Sequence, residues 1–434
     1  MSIRYDDSLP LLLRFVELHF GDAVPTNLAV MRDMFGRLAV LVEGQDKNAR
    51  TGLSKTLVGC LGPYAVDGAT VIDAASPLGR DLLDDQHSLW RVERFPESGR
   101  EVTVRTIDRR LVGQDWVLPP SHGPGGAPRL VFASLKGGVG RSTALSVTAA
   151  HLAQRGLDVL TIDLDIEAPG LGSMLVTADS RPRQGALDYL VENGRGGVSD
   201  DELDEFVATS ELTDRFRGQG RVDVVPAAGR ACADNPHNVI GKLARALVED
   251  LRPGGGTISL RDQTREMVDR LAARRRYDAV LIDSRAGLAE MTSGPLLGLD
   301  ATVLLFGIDQ PQTFEGYSYL LAHLAQLQVR DENDWRHGFR FVQAKAPASP
   351  DARRRFRDDL FDLFADHFYE SEDRGAFNFG MDEPGAPHDA LCIGFDGGYL
   401  DFDPVRDHAH LDNAVYKAAF GDFLSGARGL LRLE

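Results

Sequence analysis

Short apolar runs alternate with helical patterns through the later two-thirds of the chain. Residues 142–155 carry apolar positions at helical spacing, and Gly156 ends that pattern. Strands separated by helices of crossover length predict an α/β domain, a mostly parallel sheet flanked by helices on both faces. Five runs have the length and composition of its buried strands: 129–134, 158–164, 278–283, 301–307 and 340–343.

The first part of the chain has a weaker pattern. Residues 11–20 predict a helix and residues 90–104 predict a β-hairpin, so we expect a small α+β domain without a catalytic constellation. Proline and glycine are too dense between Leu118 and Pro128 for a helix or a central strand. The predicted organisation is an interaction domain at 1–117, a linker at 118–128 and the α/β domain at 129–434.

Composition narrows the functional classes. The chain has 434 residues, 43% of them apolar, and its net charge of −17 disfavours direct nucleic-acid binding, which needs a basic face. We find no apolar run of about eighteen residues and no basic amino-terminal leader, so we expect no membrane span. Cys60, Cys232 and Cys392 are far apart in sequence, which disfavours a disulfide framework or a zinc site and favours the cytoplasm.

A glycine-rich loop joins the first strand of the α/β domain to its first helix. Glycines allow backbone N–H groups to turn around phosphate oxygens, and the helix amino terminus adds the positive end of its dipole. A hydroxyl directly after the basic residue can ligate Mg²⁺, which indicates Ser142. The loop therefore predicts a nucleotide phosphate site made by Lys136, Gly137, Gly138, Val139, Gly140, Arg141, Ser142 and Thr143.

Carboxylates end two other predicted strands. Asp163 and Asp165 lie two residues apart, so on a strand both side chains point to one face. Asp283 ends the apolar run that starts at Tyr277, which is the arrangement of a Walker B strand. Together with Ser142 these three aspartates form the predicted Mg²⁺ set, while Glu167 is either a further participant or a solvated side chain.

The loop resembles the deviant Walker A motif of the ParA/MinD ATPases, Lys-Gly-Gly-x-Gly-Lys-Ser/Thr-Thr/Ser. Leu135 stands where ordinary P-loops have their first glycine, and Lys136 matches the signature lysine of that family. The resemblance implies that ATP closes a sandwich homodimer and that Lys136 reaches the phosphates of the partner. It also implies that Asp165 orients or activates the attacking water while Asp163 supports the metal shell.

A second match to this family follows the Asp283 strand. Asp283-Ser284-Arg285-Ala286-Gly287 resembles its Asp-Ser-x-Ala-Gly switch, which implies that Gly287 supplies a backbone N–H near the γ-phosphate. The region of residues 341–347 falls where the family contacts the base. It lacks the Asn-Lys-x-Asp pattern that selects guanine, so adenine is favoured, with Gln343 as its hydrogen-bond partner.

Arg141 is the main departure from the family pattern, because it stands where the P-loop lysine belongs. A guanidinium keeps the positive charge but is broader and planar, so it shifts the contact geometry. The loop resembles the KGGVGR variants of these ATPases, which are associated with bacterial conflict and defence gene clusters. The resemblance implies an ATPase with Lys136, Arg141 and Asp165 in catalysis, and the arginine leaves open whether ATP is hydrolysed slowly or only bound.

Three functions therefore stay open. The first is an ATP- and Mg²⁺-dependent dimer switch, whose 1–117 domain recruits an unidentified protein partner. The second is a nucleotide-binding scaffold with little or no hydrolysis, and the third is a positioning or partitioning ATPase. A bacterial tyrosine kinase of the same loop type is disfavoured because the chain ends without a tyrosine-rich tail.

The last predicted helix, residues 413–431, is amphipathic. Its acidic Asp422 and its scarcity of lysine favour ordinary packing over a membrane-surface role. We expect Val415, Phe420, Phe423 and Leu424 at core positions.

Overall fold

The chain folds into two compact units, the first comprising residues 1–119 with 323–330 and the second residues 120–322 with 331–434. Residues 323–330 thus belong to the first unit although they lie within the sequence range predicted for the second domain. The computed structural model describes residues 3–24, 27–85, 87–121, 125–215, 219–251, 256–329, 334–370, 376–400, 402–411 and 414–433.

Within its described residues, the first unit contains a five-stranded mixed sheet and three α-helices. Its elements are α1 (Tyr5–Phe20), β1 (Asn27–Arg32), β2 (Leu38–Val42), α2 (Lys47–Leu61), β3 (Val71–Asp73), α3 (Pro77–Leu83), β4 (Leu89–Arg94) and β5 (Glu101–Asp108). The sheet order is β3-β2-β1-β5-β4, with β1 parallel to β5 and β4 antiparallel to β5. The α+β prediction and the predicted hairpin are both confirmed.

One face of α1 closes the core of this unit. Its apolar positions recur at helical spacing, so Leu9, Leu12 and Val16 are buried in one cluster with Val30 of β1 and Val104 of β5. Removing this apolar surface from water is the main force that holds the helix on the sheet, since each fully buried Leu or Val contributes roughly 1.5–3 kcal/mol.

The second unit contains ten strands and eleven helices within its described residues. Its strands are β6 (Arg129–Ser134), β7 (Asp158–Asp163), β8 (Ala208–Thr209), β9 (Arg221–Val225), β10 (Asp250–Leu251), β11 (Thr257–Ile258), β12 (Ala279–Ala286), β13 (Thr302–Gly307), β14 (Phe339–Ala346) and β15 (Leu391–Gly394). Its helices are α4 (Arg141–Gln154), α5 (Leu171–Leu175), α6 (Ala186–Asn193), α7 (Leu212–Arg215), α8 (Arg230–Asp234), α9 (Val239–Ala246), α10 (Leu260–Ala273), α11 (Glu290–Ser293), α12 (Pro311–Leu324, whose last two residues fall in the first unit), α13 (Pro350–His367) and α14 (Ala414–Leu430).

Eight of these strands form one sheet in the order β15-β14-β13-β6-β12-β7-β9-β8. All neighbours are parallel except β8 and β9, which confirms the predicted mostly parallel sheet. Asp283 of β12 is in register with Asp163 of β7, and β6 lies on the other side of β12. The carboxyl ends of three neighbouring strands therefore carry the loop and both acidic motifs to one edge, where open α/β sheets bind ligands.

Helix α14 packs against the edge strand β15, and its Phe423 reaches the centre of the sheet. The ring of Phe423 lies 6.5 Å from Phe132 of β6 and 6.2 Å from Phe306 of β13, measured between centroids. Phe420, Phe423 and Leu424 are buried, as expected. Val415 is 44% exposed, so its predicted core position is wrong; it lies in the first turn of the helix. Among the described residues, no helix combines the length and apolarity needed to cross a bilayer.

Candidate functional site

The loop of residues 135–140 presents its backbone to open space. Gly138 and Gly140 have φ angles of 75° and 95°, a left-handed conformation that side-chain-bearing residues rarely adopt. Among the described residues, no atom lies within 4 Å of a Cβ placed on Gly137, Gly138 or Gly140. Helix α4 begins directly after Gly140, so its free N–H groups border the same space. The loop has the form of an anion cradle.

The Arg141 side chain turns inward from this loop and joins both acidic motifs. Its Nε donates to Asp283 Oδ1 at 2.5 Å, one terminal nitrogen donates to Asp165 Oδ2 at 2.9 Å, and the other donates to Ser134 Oγ at 3.2 Å. Burial lowers the pKa of Arg141, but the charges of Asp283 and Asp165 outweigh burial and the net shift is upward. Arg141 is therefore a buried cation shared by two carboxylates.

Ser142 and Asp283, two members of the predicted Mg²⁺ set, are in direct contact. Ser142 Oγ donates to Asp283 Oδ2 at 2.5 Å, and the Asp283 side chain is 1% exposed. Burial raises the pKa of Asp283, an effect that Arg141 and Ser142 oppose. The hydroxyl and the carboxylate are placed side by side, as a shared magnesium ion with its water ligands requires.

The carboxylate of Asp163 accepts hydrogen bonds from backbone N–H groups. Oδ1 accepts from the N–H of Asp165 at 3.1 Å, and Oδ2 accepts from Gly170 at 3.3 Å and Leu171 at 3.1 Å. Burial and the neighbouring charge of Asp283 raise the pKa of Asp163 to about 7. These contacts make Asp163 an anchor for residues 164–171 and the start of α5.

Asp165 retains an unused oxygen. Its Oδ2 accepts from Arg141, while Oδ1 is buried and has no hydrogen-bond partner in the part of the chain that the structure describes. A buried carboxylate oxygen without a partner costs free energy unless a further group, such as a water or a metal-bound water, hydrogen-bonds to it. This position fits the role in water activation that the family resemblance gives Asp165.

The segments that follow Asp163 and Asp283 contact each other beside this site. Arg285 forms an ion pair with Glu167 at 2.6 Å, and the Leu164 N–H donates to the Asp283 carbonyl at 2.8 Å. Glu167 therefore has a defined partner in Arg285. Gly287 has a φ of 96°, and its N–H donates to the Ser134 carbonyl at 2.9 Å, so in this conformation it holds β12 to β6.

Sequence reasoning missed the cleft that adjoins the loop. Gln343, the predicted base contact, is 1% exposed and its Oε1 accepts from Cys392 Sγ at 3.6 Å. The structure instead surrounds the cleft with aromatic, aliphatic and charged side chains from β14, from the segment after β15 and from α14. These residues are Val139, Gly140, Thr143, Lys345, Ile393, Gly394, Phe395, Asp396, Tyr399, Leu400 and Phe420.

Two lysines border the loop. Lys136 is exposed, and within the described residues its side chain has no hydrogen bond or ion pair, as a side chain that contacts another molecule requires. Lys345 donates from Nζ to the Gly138 carbonyl at 2.8 Å. The only sequence signal for Lys345 was its place within the 341–347 run.

The geometry defines a P-loop nucleotide-binding domain: a strand, a glycine-rich loop and a helix, with acidic strand ends beside them. Residues 128–198, which contain the loop, α4 and Asp165, match the family model described as ParA: NUBPL iron-transfer P-loop NTPase. This segment of the chain is thus similar to the P-loop NTPases of the ParA family.

Individual proteins similar to this chain share only a low sequence identity with it. The iron-sulfur cluster carrier protein of Haemophilus influenzae is 27% identical over 173 residues, which cover 39% of this chain and 45% of the relative. The chain thus spans less than half the length of the curated relatives it matches. A ParA family ATPase from Chlorobium tepidum is 15% identical with a TM-score of 0.44, covering 69% of this chain and 99% of that one. The cell division ATPase MinD of Pyrococcus furiosus is 18% identical with a TM-score of 0.40, covering 70% and 99%.

Proposed function

We propose that the protein is an ATP- and Mg²⁺-dependent switch that closes into a sandwich homodimer and thereby controls a partner protein, with slow ATP hydrolysis. The observation that supports this proposal most directly is the convergence of Ser142, Asp165 and Asp283 below an open glycine cradle. Contacts to a γ-phosphate that exist in only one state can shift a two-state interface.

The residues present fit ATP and magnesium. The backbone of Gly137, Gly138 and Gly140 faces free space, and Asp165 Oδ1 is buried without a partner among the described atoms. Ser142 and Asp283 would hold the metal, which would neutralise negative charge on the nucleotide phosphates. The described residues contain no group of three or more His, Cys, Asp or Glu arranged as a complete cage, and magnesium sites are completed by phosphate and water.

The chain's own residues explain why turnover would be slow. Asp165 must position a water, yet one of its oxygens is held by Arg141 at 2.9 Å. Asp163 fixes the loop that carries Asp165, and Arg141 forms ion pairs with the buried carboxylates of Asp165 and Asp283. A scaffold that binds nucleotide with little or no hydrolysis is the second candidate, because the same ion pair restrains the group that would activate water.

The dimer proposal rests on Lys136, whose exposed side chain makes no hydrogen bond or ion pair with the described residues and can reach a second protomer's phosphates. The proposed partner binds the first compact unit, because that unit has a core of its own and so can serve as a separate recognition module. We place the protein in the cytoplasm, in agreement with its three free cysteines. The resemblance to KGGVGR variants supports a role in a bacterial conflict or defence system.

We do not extend to this chain the cluster cargo that the relatives' names describe. Iron-sulfur clusters are held by several thiolates, and no multi-ligand cluster of cysteine with other metal-binding side chains occurs in the described ranges. A positioning or partitioning role is the remaining alternative, and the net charge of −17 disfavours its use of nonspecific DNA.

Light scattering after size exclusion, with and without Mg-ATP, tests the switch when phosphate release is followed in parallel. We expect the wild type to gain mass with Mg-ATP and Lys136→Ala to lose that gain. Asp165→Ala should extend the lifetime of the dimer by reducing phosphate release. Lys47→Ala, an exposed lysine of the first unit, is the matched control.

The outcomes separate the candidates. A nucleotide-dependent gain in mass without phosphate release, and with an unchanged dimer lifetime in Asp165→Ala, would favour the scaffold. A wild type that stays at one mass with ATP, and is indistinguishable from Lys136→Ala, would show that the sandwich dimer is wrong.

A further inference from the structure

The cation that a P-loop normally offers to phosphates is already engaged in this protein. In such loops, the basic residue before the hydroxyl reaches the β- and γ-phosphates. Here that residue is Arg141, whose side chain is 8% exposed and whose three nitrogens bond to Asp283, Asp165 and Ser134. Turning it toward a phosphate would leave two buried carboxylates without their counter-ion, which is strongly unfavourable.

The local charge balance sharpens this requirement. Arg141 contributes one positive charge, while Asp165 and Asp283 contribute two negative charges, so the interior below the loop is not a source of attraction for a polyphosphate. Backbone N–H groups supply partial charge only. Because the proposed dimer assigns Lys136 to the phosphates of a second protomer, a further full positive charge at the loop would strengthen the binding of a triphosphate within one protomer.

Lys345 is held at that place. Its Nζ donates to the Gly138 carbonyl at 2.8 Å, and the side chain lines the same cleft as Gly140 and Thr143. It has no ion pair within the described part of the chain, and an ammonium with one bond made keeps two N–H donors. Asp396 also lines the cleft, and its carboxylate accepts a hydrogen bond from the Gly398 N–H at 2.8 Å.

The backbone at Lys345 has an unusual conformation. Lys345 has a φ of 53°, in the left-handed region that residues other than glycine seldom occupy. The pairing of β14 with β15 shifts register between Gln343 and Ala346, which brackets this residue. Backbone strain of this kind persists where the surrounding structure enforces it, and it is concentrated at functional sites.

We propose that Lys345, rather than Arg141, supplies the cation with which this loop binds nucleotide phosphates. Arg141 acts as a positioning residue that holds the carboxylates of the two acidic motifs together. This inference rests on the proposed nucleotide binding and deepens it, because it moves the phosphate contact from α4 to the end of β14.

Isothermal titration of the full chain with Mg-ATP and with adenosine tests the inference. Lys345→Met should lower the affinity for Mg-ATP about tenfold or more, since a hydrogen bond to a charged group contributes roughly 1.5–3 kcal/mol. Adenosine has no phosphate, so its affinity should stay nearly unchanged. Lys345→Arg should recover part of the Mg-ATP affinity, and Lys47→Met should match the wild type. Methionine carries the same backbone strain as lysine at this position, so the melting temperature should be preserved.

The results distinguish this inference from the proposed function. If Lys345→Met binds Mg-ATP as tightly as the wild type does, or loses adenosine and Mg-ATP equally, the assignment to Lys345 is wrong while nucleotide binding stands. If the wild type binds no Mg-ATP, the proposed function and this inference both fail. If binding is weakened selectively but no dimer forms, the inference holds and the dimer switch is overturned.

Discussion

At the scale of single residues, the Arg141 side chain determines how the two acidic motifs are held. Arg141→Ala would leave Asp165 and Asp283 buried without a counter-ion, so we expect a loss of about 3–5 kcal/mol in the free energy of unfolding. Urea unfolding followed by circular dichroism measures the loss. Arg183→Ala, which removes a largely exposed ion pair with Glu205, should cost less than about 1 kcal/mol.

A double substitution tests the prediction for Arg141. Asp283→Asn in the Arg141→Ala background removes one of the two unpaired charges and should recover part of the stability. Equal losses in Arg141→Ala and Arg183→Ala would show that the guanidinium is not the counter-ion of a buried pair.

His151 of α4 gives the chain a separate pH dependence. Burial, with the charges of Arg428 and Arg155, lowers the pKa of His151 to about 4, and its Nε2 is buried without a hydrogen bond in the described structure. The unfolded chain binds a proton at this residue below about pH 6.5, whereas the folded chain does not until about pH 4. Stability should therefore fall as the pH falls through this window.

The variant His151→Gln isolates this contribution. Melting temperatures measured at about pH 7.5 and about pH 5 should differ less in His151→Gln than in the wild type. Because other groups titrate equally in both proteins, the difference reports His151 alone. The same pH-dependent change in both proteins would contradict the burial of an uncharged imidazole.

The sequence could predict which chemical groups meet at the site, but not how each is used. Ser142, Asp165 and Asp283 follow neighbouring parallel strands or the loop beside them, and such strand ends share one edge of the sheet. The inward direction of Arg141 depends on where three strand ends lie relative to one another. No local pattern contains that information.

At the scale of elements, Asp163 ties the end of β7 to the start of α5. Asp163→Ala would release the N–H groups of Asp165, Gly170 and Leu171, each bonded to the carboxylate at 3.1 to 3.3 Å. We expect these three amides to exchange hydrogen roughly ten- to a hundredfold faster, as the loss of a bond to a charged group of roughly 1.5–3 kcal/mol implies.

Leu164 provides the control for the Asp163 experiment within the same loop. Its N–H donates to the Asp283 carbonyl at 2.8 Å, a bond that Asp163→Ala leaves in place, so its exchange should be unchanged. Uniformly faster exchange throughout residues 164–171 would point to general unfolding of the loop instead of a local anchor.

Helices and strands with a strong apolar periodicity could be predicted from the sequence, whereas the cleft beside the loop could not. The β6 strand and the α4 helix follow clear apolar patterns and occur where expected. The β15 strand has only four residues, and the cleft beside it draws on Phe395, Tyr399 and Phe420, which are distant in sequence from the loop. The left-handed backbone at Lys345 lies within the register shift between β14 and β15, which a sequence pattern cannot reveal.

At the scale of the whole molecule, the first compact unit uses a segment that is distant in sequence. The Trp90 N–H donates to the Gln326 carbonyl at 3.4 Å, and His323 Nε2 lies 2.8 Å from the Trp116 carbonyl. The rings of Trp116 and His323 also meet edge to face at 6.0 Å between centroids. Sequence patterns place residues 323–330 with the helix before them, because local periodicity does not record which edge strand a segment joins.

Residues 323–330 should therefore stabilise a fragment of residues 1–119. We expect that fragment to melt a few degrees lower than the same fragment fused through a flexible linker to residues 323–330, since about 1 kcal/mol shifts the melting temperature of a domain of this size by roughly 4 °C. His323→Ala in the fused form should remove much of the gain, because it deletes both the ring contact and the bond to the Trp116 carbonyl. Tryptophan fluorescence follows the transition, as Trp90 and Trp116 both lie in the fragment. Identical melting temperatures with and without the fused segment would mean that residues 1–119 fold independently of it, and a partner-binding experiment could then use the shorter fragment.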